Sequence, residues 1–271
     1  MGESTKSFGF RRNVDYIKVN LFLMWRTVME YKTNFWSSII IQVFFLGTYV
    51  LFFEAMTRNF GDIIGWNIWD FLLFLVLVDT IWVLSGVVFW SKSLFHSIIS
   101  GELNNYLMRP INIFLGFNFS RLDIGGLVMF AMNFVYILYY IVSQDVSLFS
   151  LALGVFIMSL IVLVLLLFIW FVESLNFFYK GLSMGINEII GNFVGIAQNY
   201  PYQYFKSFEY KLLLFFFPIF FVSSLVIPIF KGDSISNIGL QLSILGGFIV
   251  FYSFFTFLFW KLGIRRYEAF G

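Results

Sequence analysis

Six stretches of this chain stay apolar for about the 20 residues that a helix needs to cross a hydrocarbon core. They run over 34–53, 69–91, 124–142, 148–172, 212–230 and 238–260. Several are rich in β-branched and aromatic residues, yet these do not argue for strands. An open sheet edge in lipid would leave backbone N–H and C=O groups unpaired, whereas a helix pairs them within itself. The expected fold is therefore all-α, a polytopic membrane protein with six transmembrane helices in one domain over 1–271. Composition agrees: the chain is 60% hydrophobic and 12% charged, against roughly 45–50% and about 25% in soluble proteins.

Ahead of the first apolar run, 8–33 reads as an amphipathic helix lying on the membrane. Tyr16, Val19, Leu23 and Trp25 can enter the interface while Arg12, Asp15, Lys18 and Glu30 stay in water. Arg26 and Glu30 are spaced to pair on one helix face. These charges also interrupt any apolar core of a cleavable signal. Orientation follows from Lys and Arg, which favour the cytoplasmic side. With both termini inside, 15 of the 17 Lys and Arg fall inside and only Arg58 and Lys231 outside. Trp36, Trp90 and Trp260 then sit at inner ends, and Trp66 and Trp69 near the outer end of span two. The expected outer loops, 54–68, 143–147 and 231–237, are short; the inner ones, 92–123 and 173–211, are long.

The chemistry available is sparse. There is no cysteine and one histidine, His96, so neither a thiolate nor a histidine-based metal or nucleophile site is expected. No Gly-x-x-x-x-Gly-Lys-Ser/Thr phosphate loop and no Gly-x-Gly-x-x-Gly occurs. Nothing marks an enzyme, a resident cofactor or a nucleic-acid partner. Two carboxylates lie in or beside the spans. Asp79 is near the centre of span two, where a charge costs about 2.5–3.5 kcal/mol to insert, so it must face protein or water rather than lipid. Glu173 follows the inner end of span four. Both are candidates for a translocation path or a subunit interface. Asp70 is expected at the outer edge of span two, close to water. Pro218 and Pro228 interrupt span five and read as a kink or a hinge. Gly181/Gly185 and Gly191/Gly195 are spaced for close helix contact, although an interfacial helix accounts for that stretch equally well.

The polar interruption at 91–123 contains Gly101, Glu102 and Leu103, then Leu107, Met108, Arg109 and Pro110. Here the chain resembles the type-2 ABC exporter permeases, specifically their compact six-span branch. The pattern Gly-x-Leu…Leu-x-Arg-Pro after span two is met by Gly101, Leu103, Leu107, Arg109 and Pro110. Tyr200-Pro201 precedes span five, Phe217-Pro218 and Ile227-Pro228 lie within it, and Trp260, Arg266-Tyr267 and Phe270-Gly271 close the chain. Asn104-Asn105 and Phe270 depart from the pattern.

That resemblance implies an exporter of two permease and two ATP-hydrolysing subunits, the second permease being identical or related. It makes 8–33 the elbow helix and places a coupling element in 93–108, with Glu102 and Arg109 as its polar contacts to the ATPase. ATP and magnesium would belong to the partner, and the expected location is a prokaryotic plasma membrane. The cargo implied is amphipathic or hydrophobic. A different class, a secondary transporter or channel using Asp79 or Glu173 for an ion, would favour inverted repeats and broken helices in both halves; only span five is proline-broken.

Overall fold

The computed structural model describes residues 2–89, 94–120, 124–179, 185, 186, 188, 192, 195, 196, 199–204, 218–233, 235 and 237–267. The described residues are helical throughout, joined by turns. Helix α1 (Gly2–Glu30) leads into α2 (Lys32–Ile64) with a break only at Tyr31. Helix α3 (Ile68–Phe89) follows, then three short helices, α4 (Leu94–Ile99), α5 (Asn104–Leu107) and α6 (Ile113–Asn118). Helices α7 (Ile124–Ser143) and α8 (Leu148–Ser174) come next. The chain closes with α9 (Ile227–Lys231) and α10 (Ile238–Arg266).

Five of these helices are long and apolar enough to cross a membrane: Phe35–Ala55, Ile68–Gly86, Gly126–Ser143, Leu148–Phe177 and Ile238–Arg266. Span five is described only from Pro218, as a shorter apolar segment Pro218–Lys231; 212–217 lie outside the described residues. A 3-10 turn at Pro218–Phe220 passes into a π-helical stretch, Val222–Val226, and then into α9, with Pro228 in its first turn. The physical cause is local. Pro228 has no N–H to give the carbonyl of Ser224, and its ring crowds that carbonyl, a setting in which the ladder widens to π geometry.

Helix α3 is the axis of the fold. In its span 72% of residues are buried, against 6% in the span of α2. Its closest packing is on α7, with α2 against both, while α8 and α10 form a second pair. The π-helical stretch and α9 are wedged between α3 and α8. Phe71, Leu73, Phe74 and Ile81 of α3 and Phe220, Phe221 and Leu225 of span five make up much of the core. At Gly154 the ring of Phe230 comes so close that any Cβ would overlap it, so this glycine sets the spacing of α8 and α9.

One expectation is corrected. The outer loop expected at 54–68 is helical to Ile64, because α2 does not stop where its apolar run does. Beyond the run, Arg58 donates to Glu54 one turn earlier, an i,i+4 pair that suits a helix in water. In the stretch expected as an inner loop, the N–H of Tyr202 donates to Ser223 Oγ at 3.2 Å, and Gln203 Nε2 to the Ser223 carbonyl at 3.2 Å. Ser223 lies in the π-helical centre of span five. Of the spaced glycine pairs, Gly181 and Gly191 are outside the described residues, and Gly185 and Gly195 have open space where a Cβ would stand.

Candidate functional site

Two groups of polar residues stand out against this apolar background. The first surrounds Asp79. Nine residues along α3 from Asp70, it lies about 13 Å down the axis at 1.5 Å per residue, near mid-span. Asn133 Nδ2 of α7 donates to its Oδ2 at 2.7 Å. Gln42 Nε2 of α2 lies 3.5 Å from the same oxygen and 3.4 Å from Asn133 Oδ1. Asn133 is fully buried and Gln42 nearly so. The three residues tie α2 and α7 to α3 and border a cavity of about 310 Å³. Asp79 was legible as an ionisable residue in lipid; the two amides carry the same signal more weakly, as polar side chains inside apolar runs.

The second group holds the end of the molecule formed by α4, α5 and α6. Leu94, Ile98, Leu103, Tyr106 and Phe117 pack there with Trp170 of α8. Phe114 bridges α8 and α10, its ring centroid 4.2 Å from Trp170 and 5.5 Å from Trp260 of α10. Glu173, the other candidate for a translocation path or a subunit interface, lies against this loop. Its Oε2 accepts from the N–H of Leu94, the first residue of α4, at 3.2 Å and from Asn176 Nδ2 at 3.1 Å. Helix α1 is bonded to the same region: Tyr16 O–H donates to the Gly116 carbonyl at 3.1 Å, and the Asn112 N–H to Asn13 Oδ1 at 3.0 Å.

The residues singled out in 101–110 divide between two faces. Gly101 has φ +70°, a left-handed conformation that glycine adopts without cost, and it turns the chain from α4 towards α5. Leu103 is fully buried and Tyr106 nearly so; they anchor the segment. Leu107, Met108, Arg109 and Pro110 face outwards, Met108 with 76% of its surface exposed. The Arg109 guanidinium sits 5.5 Å from the Tyr106 ring centroid. Glu102 is half-buried beside them, and His96 is exposed on α4.

Asp70 departs from expectation most. It is buried, not at a wet edge. Tyr140 O–H donates to Oδ1 at 2.8 Å, and Lys231 Nζ lies 3.0 Å from Oδ2. Lys231 also donates to the Gly65 carbonyl at 3.2 Å. One carboxylate thus joins α3, α7 and α9. Nothing local marked it, because its cation stands 161 residues away.

Together these features define an all-helical integral membrane protein whose polar groups bind helices to one another and to a structured loop. Over residues 43–271 the chain matches the family described as ABC-2 family transporter protein. It belongs to that family, whose membrane domains are typically the non-catalytic permease subunits of transporters and generally pair with an ATPase subunit. No match was found among curated proteins.

Proposed function

We propose that this chain is the permease subunit of an ATP-driven exporter in a prokaryotic plasma membrane, moving an amphipathic or hydrophobic cargo out of the cytoplasm or inner leaflet. On this reading span five also crosses and brings the crossings to six, both termini and the α4–α6 loop are cytoplasmic, and ATP and magnesium are held by a separate ATPase that docks on the loop. A second permease subunit, identical or related, stands alongside.

One observation carries the reading. The loop has an outward tip of Leu107, Met108, Arg109 and Pro110, and an inward face locked by Leu103 and Tyr106 against Trp170 and its neighbours. A push on the tip would reach α8 through Trp170 and through the Glu173 bond to Leu94, α10 through Phe114 and Trp260, and α1 through Tyr16. Packed elements joined this way move as a unit. Span five, with Pro218 and Pro228, lies between that unit and α3, where the widened helical ladder serves as the hinge.

The test is to assemble the purified chain with its nucleotide-hydrolysing subunit in lipid discs. Met108→Asp and the double variant Glu102→Ala, Arg109→Ala should keep the permease folded while abolishing permease-dependent stimulation of ATP hydrolysis. Undiminished stimulation and transport in both would overturn the docking assignment.

A further inference from the structure

The cavity beside Asp79 has an unusual balance of hydrogen-bonding groups. A carboxylate repels an amide oxygen, so Gln42 and Asn133 must turn their NH₂ groups towards it. Both address Oδ2. Gln42 Nε2 spends its second proton on Asn133 Oδ1. Among the described residues no donor reaches Asp79 Oδ1 or Gln42 Oε1. The amide donors are thus directed inwards on the cluster, while two oxygens remain as acceptors where the cavity meets it.

The surrounding charge points the same way. There is no Lys or Arg in 33–57 of α2, in α3 or in α7. The two cations nearest the far end of these helices are engaged, Arg58 by Glu54 and Lys231 by Asp70. A carboxylate at mid-span is costly unless something pairs with it, and these stretches supply no cation. The rest of the wall is aliphatic and aromatic and includes the rings of Phe45, Tyr49 and Trp82, the last two carrying a hydroxyl and an indole N–H. Aromatic faces attract cations, most strongly where water is excluded. At about 310 Å³ the space is at the small end of ligand pockets, which run roughly 300–1,000 Å³.

We infer that this cavity binds a compact organic ammonium ion, its N–H groups on Asp79 Oδ1 and Gln42 Oε1 and its apolar body among Phe45, Tyr49 and Trp82. Assigning the ion as cargo rests on the exporter reading; binding itself does not. An ammonium satisfies both free acceptors and neutralises the carboxylate in one contact. A neutral alcohol satisfies one acceptor and leaves the charge, and an anion is repelled.

Three ligands with one carbon skeleton test this on the unaltered protein in lipid discs: 2-phenylethylammonium, 2-phenylethanol and phenylacetate. With tritiated 2-phenylethylammonium as the probe, the ammonium should compete at least tenfold more tightly than the alcohol, and phenylacetate should not compete. Asp79→Asn should bring ammonium and alcohol to within about threefold of each other. Met129→Trp, which fills the cavity without touching its charge, should remove binding of both. Equal affinity for ammonium and alcohol in the unaltered protein would overturn the proposal, as would no saturable binding of the probe or a tenfold preference surviving Asp79→Asn. Co-assembly with an ATPase is scored on the same preparation. Binding with charge preference but no ATPase partner would remove the exporter reading and leave the site standing.

Discussion

Single side chains in this protein act mostly as ties between distant segments, which is why their roles were the least legible. Glu173 could be recognised as an ionisable residue at the end of a span, but its partner, the N–H of Leu94, is 79 residues earlier. Leu94 is fully buried, so Glu173→Ala leaves a backbone donor without water or acceptor. The expected loss is about 1–3 kcal/mol, read as a lowered thermal midpoint in detergent. Glu173→Gln retains an acceptor and should lose less than half as much. Asp70 makes a similar case with charge. Asp70→Asn still offers an oxygen to Tyr140 but leaves the Lys231 ammonium unpaired. Breaking a buried pair costs about 3–5 kcal/mol. With 21% of the Lys231 side chain exposed, the lower end applies. Adding Lys231→Met should recover most of the midpoint; if it lowers the midpoint further, the pair is not the reason Asp70 matters.

Whole elements were easier to read, where apolar length sets them. The spans expected at 124–142 and 148–172 appear as Ile124–Ser143 and Leu148–Ser174, the latter opened by Ser147, whose Oγ accepts from the Ser150 N–H at 3.0 Å. Helix α2 escaped because hydropathy reports where lipid ends, not where helix ends: Glu54 and Arg58 stop the apolar run but support the helix. The loop after span two was legible as punctuation at Gly101 and Pro110, not as three helices, since α4 to α6 are held by contacts with α1, α8 and α10 rather than by their own periodicity. Gly101→Val isolates the turn. The nearest atom to a Cβ there is Asn104 Nδ2 at 3.8 Å, so there is room, and the cost is the left-handed backbone itself. Forcing a β-branched residue into that region costs about 1–3 kcal/mol. Gly101→Asn should cost clearly less, because asparagine tolerates the region. Equal thermal midpoints for the two variants would mean the turn adjusts freely.

At the scale of the molecule the remaining question is which end faces which compartment, and the chain is suited to the experiment because it contains no cysteine. A single introduced thiol reports only on its own position. The proposed orientation puts the exposed loop tip inside and the turn between α7 and α8 outside. Lys and Arg counts favour this arrangement, and the two turns lie at opposite ends of α7. Gln144→Cys, at an exposed position in the α7–α8 turn, should react in intact cells with a maleimide that cannot cross the membrane. Met108→Cys should react only after the membrane is opened. The reverse pattern would invert the molecule, carry the α4–α6 loop out of reach of any cytoplasmic ATPase, and with it remove the docking assignment. Labelling of both thiols in intact cells would instead put the two ends of α7 on one side. Helix α7 could not then cross, although its 20 residues match the length that a hydrocarbon core of about 30 Å requires.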